Sequence, residues 1–360
     1  MKRRGPVLTA GLLASLLGLT TATHTQDTSD RQLRSEVTFR LRTVAVTFVP
    51  ISATADPTHG ALLFGDSDAR LHVGQLEAHT LLSMGTIDAT PGGDGPFLIA
   101  LDLWLARVGE AWELQTDRGS IPLTHRTTEA SADIFAAAVT PTTGATGQLQ
   151  LKWGRHEWSA GFDFVEPRRS PGATRNPLDG LTGARTRETN TRPAARLSTL
   201  SRQNETAIVL PGAVRVSARF LRDLDPEADT GFGLVESTAD GQVVMLTHAP
   251  VIRLQNEVPL EFTGLSLATG NLAPGIPGAY GVWLKKAGSG WRLVFNNEPD
   301  SWGSQHDPAF DVGDVELTYR GDGEASRPLG VALVPTTANT GTLVLQWGPH
   351  EWAADFSTAK

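Results

Sequence analysis

The chain contains no cysteine, and its 360 residues include only three methionines and two tyrosines. Without thiols it can form no disulfide, no thiolate metal site, no cysteine nucleophile and no lipid anchor on cysteine. A chain without thiols is also suited to an oxidising compartment, because it cannot form wrong disulfides there.

Recognised catalytic and nucleotide-binding motifs are lacking as well. The sequence has no His-Glu-x-x-His, no Gly-x-Ser-x-Gly, no P-loop and no dinucleotide fingerprint. Alternating carboxylates at residues 223–229 begin like a calcium loop, but Ala228 and Leu234 stand where such a loop needs glycine and glutamate. We therefore predict no metal site and no cofactor. Whether the protein is an enzyme is left open, and a non-catalytic protein is favoured.

The charge and hydropathy patterns bound the partners and the compartment. Asp and Glu outnumber Lys and Arg by 39 to 31, and this net charge of −8 argues against nucleic acid as a partner. A basic start, an apolar run over residues 7–19 and small residues at 20–22 predict a secretory signal peptide over residues 1–22. No other stretch has the length of a membrane span. The expected location is secreted, periplasmic or in the cell envelope.

The most informative feature that is present is an internal repeat. Segments 141–162 and 335–356 align without a gap at an offset of 194, and 14 of their 22 residues are identical. In both, apolar and polar residues alternate before and after a Gly-Arg or Gly-Pro turn, which predicts a β-hairpin. Trp153 and Trp158 are expected in the core rather than at a ligand, because each ring can bury a large apolar area. The repeat predicts a two-copy protein.

Period-two alternation recurs along both halves, and long helical periodicity is lacking. This pattern predicts an all-β fold of two tandem β-sandwich-like domains with antiparallel strands. A more divergent first copy spans 33–165, and a more complete second copy spans 205–357. Residues 166–204 between them are rich in Arg, Pro and Gly, which predicts a flexible linker. Whether the two copies pack together is left open.

A polar segment at 295–317 distinguishes the second half from the first. Trp104 recurs as Trp283 at an offset of 179, and the later rise of the offset to 194 gives the second copy about 15 additional residues. Trp302 lies among the Asn, Asp and Glu residues of this segment. A tryptophan beside carboxylates can stack on a sugar ring, whereas the alternative interpretation is a long loop with Asx turns.

Four stretches of the second half resemble motifs of a bacterial secreted family known as domain of unknown function 2911. They are Val-Ile-Arg-Leu-Gln-Asn-Glu at 251–257, Ile-Pro-Gly-Ala-Tyr-Gly-Val-Trp at 276–283, Trp-Arg-Leu-Val-Phe-Asn-Asn with Trp-Gly at 291–303, and the Gly-Thr-Leu hairpin at 341–348. The first half matches less closely. The resemblance implies a secreted β-sandwich-like domain, and it implies no activity.

If that family shares a binding site, the matching positions can be named in this sequence, and the polar segment adds His306 to them. The candidate ligand-binding residues are Arg253, Asn256, Glu257, Asn296, Trp302, His306 and Asp307. The first copy has Val73 at the position taken for Arg253, so the site is predicted in the second copy.

Three functional hypotheses follow. The favoured one is a non-catalytic secreted or envelope protein, with a binding or structural role, built from a duplicated β-domain. The second is a carbohydrate-binding module that uses the Trp302 loop. The third is a hydrolase that uses Glu257 with His306 or Asp307. The ligand is expected to be a small molecule or a glycan, and the oligomeric state is left open.

Overall fold

The structure is a computed structural model of the chain. It describes residues 32–39, 42–52, 60, 62, 69–80, 82–85, 87–89, 99–142, 146–164, 203–221, 232–244, 246, 251–269, 279–298, 306–321, 323 and 329–359. Most of these residues lie in antiparallel strands, so the all-β prediction is confirmed. Within these ranges no helix has the length and apolar character needed to cross a membrane.

In the first half, the residues that the structure describes form nine strands. They are β1 Leu33–Phe39, β2 Arg42–Phe48, β3 Arg70–Ala78, β4 Leu82–Met84, β5 Ile87–Ala89, β6 Ile99–Val108, β7 Ala111–Thr116, β8 Gly119–Pro141 and β9 Thr146–Phe164.

The described residues of the second half form twelve further strands and three helical turns. The strands are β10 Gln203–Leu210, β11 Val214–Leu221, β12 Val243–Val244, β13 Ile252–Asn256, β14 Leu260–Phe262, β15 Leu265–Leu267, β16 Ala279–Ala287, β17 Gly290–Asn296, β18 Asp311–Arg320, β19 Gly330–Thr337, β20 Thr340–Trp347 and β21 His350–Thr358. The helical turns are the 3₁₀ turns Pro211–Ala213 and Pro308–Phe310 and the α-helical turn Gly233–Glu236.

One large antiparallel sheet runs through both halves of the molecule. Its strand order is β8–β7–β6–β3–β2–β1–β10–β11–β13–β16–β17–β18. The halves meet at the β1–β10 pair, where Glu36 lies opposite Ala207. We call this pair the seam. The order of strands on the two sides of the seam is the same when read outward from it.

A second layer of strands covers one face of the large sheet. In the first half β9 pairs with β4 and β8, and in the second half β21 pairs with β14, β18 and β20. Strands β8 and β19 of this layer pack against β1 and β10 at the seam. The apolar side chains between the layers form one core that extends through both halves. We call the opposite face of the large sheet, which this second layer does not cover, the outer face.

The repeated hairpin has the same geometry in both halves. In β20–β21, Gly341 lies opposite Phe356 and the chain turns at Gly348. In β9, a Cβ built on Gly147 would lie 2.3 Å from the ring of Phe162, so the chain turns back in the same way. Trp153 and Trp158 are at most 1% exposed, which confirms that both rings belong to the core.

The structure describes only some of the predicted boundaries between segments. The predicted signal peptide and most of the predicted linker lie outside the described residues, and β10 begins at Gln203, two residues before the predicted start of the second copy. The division into two tandem domains stays a prediction. The structure adds that the halves share one sheet and one core.

Candidate functional site

Three of the predicted site residues come together at the end of β17. The buried Asn296 side chain donates through Nδ2 to the carbonyl oxygen of Asp307 (2.9 Å) and to Asp311 Oδ1 (2.9 Å). Its Oδ1 accepts from the backbone N–H of Glu298. His306 Nε2 lies 2.7 Å from Asp311 Oδ1, and Asp307 caps the 3₁₀ turn through Ala309 N–H. These contacts hold the polar segment against the sheet.

The described parts of the polar segment, which end at Glu298 and resume at His306, lie over the outer face of the second half. A Cβ on Gly281 would lie 2.9 Å from the carbonyl oxygen of Glu298, so only glycine lets the chain pass this close. The His306 ring meets the Trp283 ring edge-on at 5.3 Å, and Trp283 is 2% exposed. Trp283 packs with Val251 and Val294 in a small apolar cluster. In the described residues, this region therefore presents a covered surface.

The other predicted site residues are placed elsewhere. Asn256 faces the core, where its Nδ2 donates to the carbonyl oxygens of Val258 and Ala268. The Glu257 carboxylate accepts from the backbone N–H of Arg215 at 2.8 Å. Arg253 is half-buried on β13 opposite Gly281, in register with Asn296 on the far side of β16. Trp302 lies outside the described residues, so its prediction has no structural outcome.

In the described residues, no segment covers the corresponding region on the outer face of the first half. Gln75 lies opposite Asp102, as Arg253 lies opposite Gly281, and Asp102 and Gly281 are related by the same offset of 179 as Trp104 and Trp283. In this register Gln75, rather than Val73, corresponds to Arg253. Val73 itself lies at the bulge between His72 and Gly74, where the register with β6 shifts.

A groove runs from this open region to the seam, and we call it the seam groove. It has a volume of about 560 Å³ and lies between β1, β2, β3 and β6 on one side and residues 209–213 on the other. Its polar lining comes from Arg34, Thr47, His72, Gln75, Glu77 and Asp102. Ala213 at its rim has a φ of 60°, a left-handed conformation that is unfavourable for residues other than glycine. Such strain tends to be retained at functional sites.

The polar side chains of the groove are ordered by one another. Arg34 donates to Glu77 Oε2 (2.6 Å), Glu36 Oε2 (3.2 Å) and Thr47 Oγ1 (3.3 Å). Asp102 Oδ1 lies 3.5 Å from Gln75 Nε2 and 3.8 Å from His72 Nε2, and its side chain is 63% exposed. The result is an anchored guanidinium–carboxylate pair beside a carboxylate that faces solvent with only long contacts.

An aromatic ring lies next to this groove. Trp104 is half-buried on the outer face of β6, with the His72 ring at 4.7 Å and the Arg70 guanidinium 4.8 Å from its ring centre. The equivalent ring in the second half is buried beneath His306. The first half thus presents an amphipathic ring beside polar groups, whereas the second half covers it.

Ion pairs continue from the groove across the seam. Glu36 on β1 bonds to Arg215 on β11, and Glu205 on β10 accepts from both Arg215 (3.0 Å) and Arg219 (2.7 Å). Burial alone would raise the pKa of Glu205, but the hydrogen bonds from Arg215 and Arg219 outweigh burial and lower this pKa. These partners fix the charged side chains, so they stabilise the seam rather than offer free groups to a ligand.

No group of three or more metal-ligating side chains is found in the described ranges. Comparisons of the chain with protein-family models, with curated proteins and with solved structures found no match. The resemblance to the domain of unknown function 2911 family therefore stays a prediction from sequence motifs. The groove geometry is the basis for a functional proposal.

Sequence reasoning did not select the groove residues. Gln75 and Asp102 stand in ordinary alternating strands and carry no motif. One signal could have found them. The offset of 179 between Trp104 and Trp283 makes Asp102 the equivalent of Gly281, which lies beside the polar segment that only the second half contains.

Proposed function

We propose that this protein is an exported, non-catalytic binding protein whose ligand is a neutral, hydroxyl-rich small molecule such as a sugar, held in the seam groove. The observation that carries the proposal is the groove itself, with planar polar side chains from neighbouring strands beside the half-buried Trp104. Its volume of about 560 Å³ is in the usual range for small-molecule sites.

The chemistry of the lining supports this ligand class. Carboxylates accept hydrogen bonds, guanidinium groups donate them, and the Gln75 amide does both. Together these groups can bind neighbouring hydroxyls, whether each hydroxyl donates or accepts. Trp104 adds an aromatic ring beside His72, and a sugar that stacks on it would share the ring with the Arg70 guanidinium. Arg34 is already paired with Glu36 and Glu77, so its guanidinium is not free to bind an anionic ligand.

The alternatives for the second half have less support. Asn296 donates to the carbonyl oxygen of Asp307, and His306 lies within hydrogen-bond distance of Asp311. The Asp307 side chain caps its own 3₁₀ turn, and Glu257 accepts from the backbone of β11. No described contact joins Glu257 to His306 or Asp307, as a hydrolytic pair would require. Export is supported by the predicted signal peptide at 1–22, and N-terminal sequencing of the protein from culture supernatant and periplasm tests it.

A binding screen on the full chain tests the ligand. We expect at least one sugar in a panel of neutral mono- and disaccharides to raise the melting temperature and to bind in calorimetry. Asp102→Ala and Gln75→Ala should each weaken binding by about tenfold, the equivalent of roughly 1.4 kcal/mol. Glu110→Ala removes one exposed carboxylate from the β6–β7 turn and is the matched charge control. Failure of the whole panel, or unchanged binding in Asp102→Ala and Gln75→Ala, would contradict the proposal.

A further inference from the structure

Each half of the molecule carries a cluster of stacked rings at the margin of its core. In the first half the members are Trp112, His125, His156 and Trp158, and in the second half they are Trp291, Tyr319, His350 and Trp352. The clusters occupy equivalent positions, at offsets of 179 for the first member and 194 for the others. Their composition differs at one place, where the first half has His125 and the second half has Tyr319.

The first cluster depends on a bond between two imidazoles, which we call the histidine pair. His125 Nε2 lies 2.9 Å from His156 Nδ1, and the two rings stack at 5.1 Å with an angle of 14° between their planes. In such a bond one ring nitrogen donates and the other accepts. An imidazolium has no acceptor nitrogen. The bond is therefore kept when one of the two rings is an imidazolium and is lost when both are.

The surroundings of the pair oppose protonation. Burial among Trp112 and Trp158 lowers the pKa of His125, and the nearby Arg107 on β6 lowers it further. Carboxylates on the adjoining strands already have partners. Glu157 on β9 is paired with Arg126 (2.6 Å) and Lys152 (3.1 Å), and Glu113 on β7 accepts from Gln115.

The second cluster is built to tolerate acid. Tyr319 Oη lies 2.9 Å from His350 Nδ1, and a hydroxyl can either donate to a neutral imidazole or accept from a charged one. Glu236 Oε1 lies 3.8 Å from His350 Nε2, so the second cluster has a carboxylate beside its histidine. Protonation of His350 therefore keeps the bond to Tyr319.

We propose that the histidine pair makes the first half an acid-sensitive switch, so that mildly acidic pH loosens β8 and β9 while β18 and β21 stay closed. The direction follows from linkage. The folded state resists a proton that the unfolded state accepts near the ordinary histidine pKa of about 6.5, so stability is full above this pH and is lost as pH falls below it.

Hydrogen exchange on the full chain, corrected for the intrinsic rate at each pH, tests this inference. Between pH 7.5 and 5.5 we expect the protection of residues 119–141 and 146–164 to fall by on the order of tenfold, with no such loss in 311–320 and 350–358. His125→Tyr copies the second half into the first and should remove the loss. Tyr319→His makes the reciprocal exchange and should transfer the loss to 311–320 and 350–358.

The two swaps keep the inference open to refutation even if one variant folds poorly. His79→Tyr, at an exposed histidine after β3, is the control and should keep the wild-type pH response. Equal loss of protection in both halves of the wild type would overturn the proposal. So would an unchanged response in His125→Tyr, or the absence of a new response in a folded Tyr319→His protein.

Discussion

Two buried asparagines at motif positions have a structural role. Asn256 and Asn296 are at most 2% exposed, and each uses both hydrogens of its amide to bind carbonyl or carboxylate oxygens of an adjoining segment. A buried amide must be bonded in this way, because an unpaired one is costly. Both residues therefore hold segments that follow a strand, rather than reach toward a ligand.

Removal of the Asn296 amide is expected to release the polar segment. Asn296→Ala leaves the Asp307 carbonyl without its donor and the Glu298 N–H without its acceptor, while Asp311 keeps only His306. We expect a loss of about 2–3 kcal/mol in the free energy of unfolding. Asp307→Ala removes only a helix cap and should cost about 1 kcal/mol. Urea titrations of both variants check this order. An Asn296→Ala protein as stable as the wild type would show that the amide has another role.

For the polar segment, sequence patterns assign residues to the segment but do not show which of those residues are buried. The sequence indicates that Asn296 and His306 belong to a polar segment, and the structure places them together. Their burial could not be predicted, because it depends on Glu298 passing over Gly281 and on Trp283 lying beneath His306. These contacts join strands and loops whose mutual position no local pattern encodes.

At the scale of elements, alternation predicted faces but not neighbours. The pattern around Leu149, Leu151 and Trp153 was sufficient to assign the buried side of the repeated hairpin, which is confirmed. The same alternation in β1 and β10 does not say that these strands pair, because a period of two fixes which side chains share a face and carries no information on the adjacent strand. The seam, and with it the groove, was therefore beyond prediction.

The charged side chains across the seam give β10 an acid dependence. Because the pKa of Glu205 is lowered in the folded state, its stabilising contribution is present above the ordinary glutamate pKa of about 4.5 and is lost as pH falls through the lower folded value. Glu205→Gln should cost about 1–2 kcal/mol at pH 7 and flatten the pH dependence of stability below about pH 4.5.

Chemical denaturation at pH 7 and at pH 3.5 measures this effect. Glu110→Gln, at an exposed turn, is the control and should leave the difference between the two pH values unchanged. A Glu205→Gln protein with the wild-type pH dependence would show that Arg215 and Arg219 are equally well satisfied by other groups.

At the scale of the whole molecule, the two ends of the large sheet are not free edges in the described residues, and within this sheet only the two-residue strand β12 pairs with a single neighbour, β16. Its outermost strands β8 and β18 also pair with β9 and β21, so they bend from the large sheet into the second layer. The remaining edges of the halves, β1 and β10, cover each other at the seam. Free sheet edges favour aggregation, and pairing or covering them prevents it. Each half therefore protects the other.

This mutual protection predicts that the halves stay together after the chain between them is cut. A specific protease site is inserted within residues 170–195, outside the described strands, and the protein is cleaved in native buffer. We expect the fragments to elute as one species of the intact mass, because the β1–β10 pairing and the shared core hold them. They should separate in concentrated urea, which weakens the core. Two separate folded fragments in native buffer would instead establish independent domains on a tether, and the seam groove would then have no fixed second wall.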